Sequence, residues 1–118
     1  MIQCKRVYDP VSADDGYRVL VDRLWPRGIK KTDLHYDEWS KTLAPSTALR
    51  KAFHAETLDF TSFSESYHQE LAAHQDEGRQ LAGRGKHGTV TLLYAAKDTQ
   101  HNHAEVLAQW LRSLDESG

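Results

Sequence analysis

The sequence holds one cysteine, Cys4, among its 118 residues, so no disulfide can form within the chain. This composition is typical of a protein kept in a reducing compartment. The sequence also lacks any apolar run that approaches the ~18 residues of a membrane-spanning helix. No signal-peptide pattern opens the chain. We therefore expect a cytoplasmic protein without a membrane partner.

A large excess of charge of either sign is also missing, because the formal net charge is −2 at pH 7. Bulk charge alone therefore excludes a strongly basic nucleic-acid-binding protein. The charges are nevertheless unevenly spread along the chain. Residues 23–31 carry four cations and no acid, whereas residues 54–78 carry six acids and no lysine or arginine. The first segment predicts a local cationic site and the second a solvated acidic surface.

Three segments have the residue pattern of β-strands. Residues 2–8 alternate between two faces, and Cys4 fits this strand as a small buried side chain rather than a reactive thiol. Residues 17–24 form a second strand, which Pro26 ends because proline cannot donate a ladder hydrogen bond. Residues 90–96 are nearly all apolar, as expected for a strand covered on both faces.

Helical patterns lie between the second and third strands. A short helix is predicted after Thr32 or Asp33, with Trp39 on its apolar face. Another begins at Ser46, a residue whose hydroxyl can accept a hydrogen bond from the first helical turn.

A third helix is predicted to begin near Ser62, because Glu65 three residues later completes a capping box. Its apolar periodicity fades after His74. Residues 83–88 spell GxGxxG, but this match is rejected as a dinucleotide site because it precedes a strand instead of following one. The glycines are interpreted as a helix stop followed by a loop.

The last helix begins near Asn102 and carries one dense apolar face, formed by Val106, Leu107, Trp110, Leu111 and Leu114. The order of elements is strand, strand, helices, strand, helix, and helical crossovers of this length join parallel strands. We therefore predict one α/β domain over residues 1–118, a small layered sandwich with a short, mostly parallel sheet flanked by helices.

The ends of two predicted strands are unusually polar. Ligands of open α/β sheets bind beyond the carboxyl ends of the strands, and residues 22–28 and 97–103 lie at such ends. If these strands are parallel neighbours, both segments meet at one edge. The candidate ligand-binding residues are Arg6, Arg23, Trp25, Arg27, Gly28, Lys97, Asn102 and His103. The candidate catalytic residues are Asp22 and Asp98.

These residue types are suited to anion binding. Arginine presents a planar fork that matches phosphate or carboxylate, and a helix that starts at Asn102 adds free backbone N–H groups. Trp25 can stack on a base or sugar, while Asp22 or Asp98 can orient a hydroxyl or act as a base. The pattern predicts a pocket for a nucleotide-like or other phosphate-bearing small molecule, with turnover left open and no particular cofactor indicated.

The same residues also allow other interpretations. Arg23 can belong to a structural ion pair and Trp25 to the core, since each is common in proteins of any function. The cationic segment can instead serve a non-catalytic module that binds nucleic acid or a protein. His101, His103 and Asp98 can form an open metal site of hydrolytic type, although residues two apart diverge once a helix begins.

The sequence resembles the YeaO-like family of small bacterial proteins over nearly its whole length. The resemblance rests chiefly on residues 5–9 (KRVYD), 18–28 (RVLVDRLWPRG) and 92–98 (LLYAAKD). It implies a single YeaO-like domain but no settled activity. Larger relatives carry cysteines around the segment that matches residues 94–103. This chain has Tyr94 and Asn102 there, so the resemblance does not extend to thiol chemistry.

Overall fold

Four parallel strands form one sheet in the computed structural model, which describes residues 1–116 and their side chains as far as residue 114. The strands are β1 (Ile2–Arg6), β2 (Tyr17–Leu20), β3 (Glu38–Trp39) and β4 (Val90–Tyr94), in the spatial order β1-β4-β2-β3. β4 pairs with β1 on one side and with β2 on the other. The predicted α/β class with a parallel sheet is confirmed, and the carboxyl ends of β1, β2 and β4 meet at one edge.

The helices of the described residues are α1 (Thr47–His54), α2 (Phe60–Leu71), α3 (Gln75–His87) and α4 (His103–Glu116). α1 starts where the sequence predicts, because the Ser46 hydroxyl oxygen accepts the Leu49 N–H at 3.2 Å. α4 also starts as predicted, since Asn102 Oδ1 accepts the Glu105 N–H at 2.9 Å. None of the described helices is both long and apolar enough to cross a membrane.

The predicted start of α2 at Ser62 is three residues too late. Asp59 caps this helix instead, with its Oδ1 accepting the Ser62 N–H at 2.7 Å. An aspartate carboxylate satisfies a free N–H at a helix start as well as a serine hydroxyl does. Ser62 therefore lies in the first turn of the helix, and the capping box with Glu65 is not the device that begins it.

The short helix predicted after Thr32 or Asp33, with Trp39 on its apolar face, is wrong. Glu38 and Trp39 form the edge strand β3, which pairs with Val19 and Leu20 of β2. The Asp37 carboxylate also accepts the Arg18 N–H at 2.8 Å, which holds the incoming chain beside the sheet. Tertiary pairing has therefore overridden the local capping signal.

The glycine-rich segment, predicted as a helix stop and loop, is mostly helix. Gly83 and Gly85 lie inside α3, and only Gly88 follows its end. A Cβ atom on Gly85 would lie 2.8 Å from Ile2 Cγ1, and one on Gly78 would lie 2.5 Å from the Trp110 ring. Gly85 in this segment and Gly78 earlier in α3 therefore allow the helix to approach β1 and α4 closely, which local sequence signals do not reveal.

The sheet has a different cover on each face. All four helices contribute to the main core, which contacts the face formed by Val90, Leu92 and Tyr94. The opposite face carries Leu20 and Leu93, and the segment between β2 and β3 covers it with a smaller cluster. Residues 21–24, predicted to continue β2, instead leave the sheet after the Val21 N–H donates to the Leu93 carbonyl at 3.0 Å. The chain thereby turns into the sheet edge where ligands are expected.

Candidate functional site

A cavity of about 330 Å³ opens at the carboxyl edge of the sheet. We call it the strand-end cavity. Its walls are the segment after β2, the segment after β4, helix α1 and the start of α4. The predicted site residues that line it are Asp22, Arg23, Trp25, Arg27, Asn102 and His103. This volume lies at the small end of the range of about 300–1,000 Å³ that is usual for ligand pockets.

Asp22 and His103 form the most closely connected pair in the cavity wall. Asp22 Oδ1 lies 2.8 Å from His103 Nε2, and Asp22 Oδ2 accepts the Ala95 N–H at 2.9 Å. His103 Nε2 also lies 3.1 Å from the Val21 carbonyl oxygen. Because both neighbours of Nε2 are acceptors, we assign the proton of the neutral ring to Nε2. The lone pair of the neutral imidazole is then at Nδ1.

Arg23 is held by backbone carbonyls and by no carboxylate of the described residues. Its Nε donates to the Pro45 carbonyl at 2.9 Å, and its Nη2 contacts the Ala44 carbonyl at 3.5 Å. These contacts tie the segment after β2 to the loop that precedes α1. The Arg23 guanidinium therefore lines the cavity wall without a direct ion pair to a described carboxylate.

Helix α1 contributes residues that the sequence analysis missed. Arg50, Phe53 and His54 all line the strand-end cavity, and their spacing of three and four residues places them on one helix face. Arg50 Nε is buried and has no hydrogen-bond partner within the described part of the chain. The spacing was visible in the sequence, but which face of α1 meets the cavity depends on its packing.

Arg27 and Trp25 occupy the turn that follows β2. Arg27 is exposed, and the Tyr8 hydroxyl donates to its carbonyl oxygen at 2.9 Å. Trp25 donates its indole N–H to the Ile29 carbonyl at 2.7 Å and makes an edge-on contact with Trp39, with ring centroids 5.5 Å apart. The indole thus serves the smaller core as well as the cavity wall.

The remaining predicted residues lie outside the cavity lining. Arg6 donates from Nε to the Ala96 carbonyl at 2.9 Å, and Gly28 forms the turn with a φ of +79°. Lys97 and Asp98 are exposed. Asp98 accepts the N–H groups of His101 and Gln100, which lower the pKa of its carboxyl and shape the loop before α4.

The histidines considered as metal ligands turn to different partners. The His101 ring stacks on Phe60 with centroids 4.6 Å apart, whereas His103 pairs with Asp22. No group of three or more histidine, cysteine, aspartate or glutamate side chains with metal-binding geometry occurs in the described residues. The arrangement therefore lends no support to the metal-site interpretation.

Cys4 lies under the start of α4 and not in the cavity lining. Its Sγ contacts the Ala104 carbonyl oxygen at 3.4 Å. Burial, with a smaller contribution from Glu105, raises the pKa of the Cys4 thiol to about 12. The thiol is therefore protonated and poorly nucleophilic at neutral pH, in agreement with its interpretation as a packing side chain, although Cys4 is partly and not fully buried.

Residues 1–117 match the family described as the inactive DUF488-N3 subclade. The uncharacterized protein YeaO of Escherichia coli (strain K12) is 65% identical over 113 residues, which cover 96% of this chain and 98% of that protein. The chain belongs to the YeaO-like family. Uncharacterized proteins of Mycobacterium tuberculosis (strain H37Rv) and Mycobacterium bovis are each 42% identical over 112 residues, covering 93% of this chain and 92% of theirs. No solved structure matches it.

The lining of this YeaO-like domain limits the chemistry that the cavity can perform. Three arginines and a single carboxylate line it, and the lining contains no serine, threonine, cysteine or lysine. Covalent catalysis by a serine, threonine, cysteine or lysine side chain therefore has no candidate in the lining. The residues present can hold an anion, and His103 can exchange a proton through Nδ1.

Proposed function

We propose that this YeaO-like protein binds a small phosphate-bearing or other anionic ligand in the strand-end cavity. The supporting observation is the imbalance of charge in the lining, where Arg23, Arg27 and Arg50 face a single carboxylate. That carboxylate, Asp22, already accepts the Ala95 N–H and contacts His103. A concave site with this excess of positive charge attracts anions, and arginine binds phosphate through paired N–H groups.

Arg50 supports the proposal because a buried donor without a partner destabilises a fold. Its Nε is buried and makes no hydrogen bond with the described residues, and the Arg50 side chain lines the cavity. An anion in the cavity would pair with the positive charge of the Arg50 guanidinium. The start of α4 adds to the positive electrostatic potential of the cavity, since Asn102 and His103 line the cavity at the positive end of the helix dipole.

Binding without turnover accounts for the site better than catalysis does. The family is described as inactive, and the cavity lining lacks the side chains that most often act as nucleophiles. A small ligand also suits the site better than a nucleic-acid backbone. The arginines surround a concavity, whereas Lys30 and Lys31 of the same cationic segment lie outside its lining.

Thermal unfolding in sodium phosphate and in sodium chloride of equal ionic strength tests the proposal. Specific binding to the folded state raises the melting temperature in phosphate as the ligand concentration increases, while matched ionic strength removes general screening. We expect Arg27→Gln to reduce this rise, because Arg27 lines the cavity and is exposed. Lys30→Gln removes one positive charge outside the lining and is the matched control.

Equal melting temperatures in the two salts would contradict the proposal if AMP, added at millimolar concentration, also left the melting temperature unchanged. An equal loss of the phosphate effect in Arg27→Gln and Lys30→Gln would show that binding follows general surface charge instead of the strand-end cavity.

A further inference from the structure

We infer that helix α1 is the recognition wall of the strand-end cavity and that the ligand is a phosphate monoester carrying one flat ring, as in a nucleoside monophosphate. This inference rests on the proposed function, since it takes anion binding in the cavity as given. It adds the second half of the ligand and the residues that contact it. Arg50 binds the phosphate, and Phe53 contacts the ring.

The first argument concerns apolar surface that the fold leaves open. Leu24 is 60% exposed and Tyr8 is 47% exposed, and both are among the most exposed large hydrophobic residues of the described chain. Both also line the strand-end cavity. Apolar side chains left open around a concave site indicate a ligand with an apolar part. Inorganic phosphate alone would leave this surface uncovered.

The second argument concerns the shape of that apolar part. Phe53 lines the cavity and stacks on Phe63, with ring centroids 4.3 Å apart and an interplanar angle of 21°. Trp25 lies on the wall formed by the segment after β2. Walls rich in aromatic rings favour a flat ring over a flexible chain, because stacking on an aromatic side chain stabilises a base of any sequence.

The third argument concerns size and charge. A cavity of about 330 Å³ suits one ring system with its phosphate and is small for a dinucleotide. Arg50 lies one turn before Phe53 and His54 on the same helix, so α1 presents a cation and an aromatic ring side by side. Its guanidinium lines the cavity, and the Nε of that group has no hydrogen-bond partner among the described residues, so the Arg50 cation is the group assigned to the phosphate.

Isothermal titration calorimetry of the full chain separates the two halves of the ligand. The probes are AMP, phenyl phosphate, ribose 5-phosphate and adenosine. We expect AMP, phenyl phosphate or both to bind about tenfold more tightly than ribose 5-phosphate, because stacking of one ring is typically worth that much. Adenosine, which lacks the phosphate, should bind most weakly. Whether AMP or phenyl phosphate binds more tightly shows how far the ring stands from the phosphate.

Two variants of α1 with matched controls assign the halves to residues. Arg50→Gln should weaken every phosphate-bearing probe by about tenfold or more, whereas Lys51→Gln removes an exposed charge outside the lining and should not. Phe53→Leu should abolish the advantage of the ring-bearing probes and leave ribose 5-phosphate unchanged. Phe60→Leu is its control, because Phe60 packs on Phe53 but does not line the cavity.

Each outcome supports or overturns the inference. If ribose 5-phosphate binds as tightly as the ring-bearing probes, or Phe53→Leu retains their advantage, the ring site is wrong while the anion-binding proposal stands. If no phosphate-bearing probe binds, both proposals fail together. Should Phe53→Leu not fold, Leu24→Ser gives the same test at an exposed position, with a severalfold loss expected for ring-bearing probes alone.

Discussion

Asp22 Oδ1 and His103 Nε2 lie 2.8 Å apart and join the segment after β2 to the first residue of α4. The other oxygen of Asp22 accepts the Ala95 N–H at the end of β4. One carboxylate thereby links the two segments that the sequence placed at the ends of neighbouring strands. Its hydrogen bonds also place the proton of the neutral His103 ring on Nε2.

The tautomer of His103 can be measured directly. Long-range ¹H–¹⁵N NMR of the neutral ring should show His103 with its proton on Nε2. His101 provides the comparison, since its ring stacks on Phe60 and accepts or donates no side-chain hydrogen bond to a carboxylate within the described residues. A His103 ring protonated at Nδ1 would contradict the assigned hydrogen-bond network.

Removal of the Asp22 carboxylate should destabilise the fold. Asp22→Ala leaves the partly buried Ala95 N–H without its acceptor, and loss of such a hydrogen bond costs about 1 kcal/mol. Asp22→Asn retains an oxygen for Ala95 and should lose less. Urea unfolding measures both, and equal stability of Asp22→Ala and the wild type would argue against a structural role for this pair.

Two glycines of α3 should respond in opposite directions to the same substitution. Gly78→Ala places a Cβ about 2.5 Å from the Trp110 ring, and such overpacking typically costs about 1–3 kcal/mol. Gly83→Ala meets no atom within 4 Å, so it should stabilise the helix by up to about 1 kcal/mol. Thermal unfolding of both variants measures these changes in stability. A stabilising Gly78→Ala would show that α3 and α4 are not in close contact.

Ser46, the N-cap residue of α1, should contribute more to the stability of the fold than Thr47, the residue that follows it. The Ser46 hydroxyl accepts the Leu49 N–H and donates to Glu70 Oε2 at 2.6 Å. We expect Ser46→Ala to lower the free energy of unfolding by about 1 kcal/mol. Thr47→Ala, one residue further into the helix, should change it little. If urea unfolding finds the two variants equally stable, Ser46 does not cap α1.

The Cys4 thiol should be unreactive in the folded protein. Burial raises its pKa to about 12 from the ordinary value of 9.0, so iodoacetamide should modify it slowly at about pH 8.5 and rapidly in urea. The unfolded chain loses this proton first as the pH rises. The free energy of unfolding should therefore fall between about pH 9 and pH 12, and Cys4→Ala should make that fall shallower. Rapid modification of the folded protein would contradict the raised pKa.

Much of the sheet could be predicted because its signals are local. The alternation of residues 2–8 and the apolar run of residues 90–96 each identify a strand without reference to a partner. The edge strand Glu38–Trp39 has only two residues, which is too short to show the alternation of apolar and polar side chains typical of a strand. It is a strand because β2 pairs with it. Helix α3 is polar and glycine-rich, and Gly78 suits it because Trp110 packs there.

The candidate site likewise contains residues that the sequence could place and residues that it could not. Strand ends in a parallel sheet converge by geometry, so the sequence could place Asp22, Arg23 and His103 at one edge before any contact was known. Arg50 and Phe53 could not be placed there, because an isolated helix pattern does not say which face meets a cavity. Arg6 has the right charge at the end of β1, but its guanidinium contacts the Ala96 carbonyl instead.

The amino-acid sequence by itself determined the family, the α/β class and the parallel strands, since these follow from residue identity and short-range period. The tertiary structure decided which cations share a cavity, because that depends on how α1 packs on α2 and on the sheet. It also decided that Asp22 is paired with His103 and Ala95. These contacts join residues more than seventy positions apart, and packing of the whole chain brings them within hydrogen-bond distance.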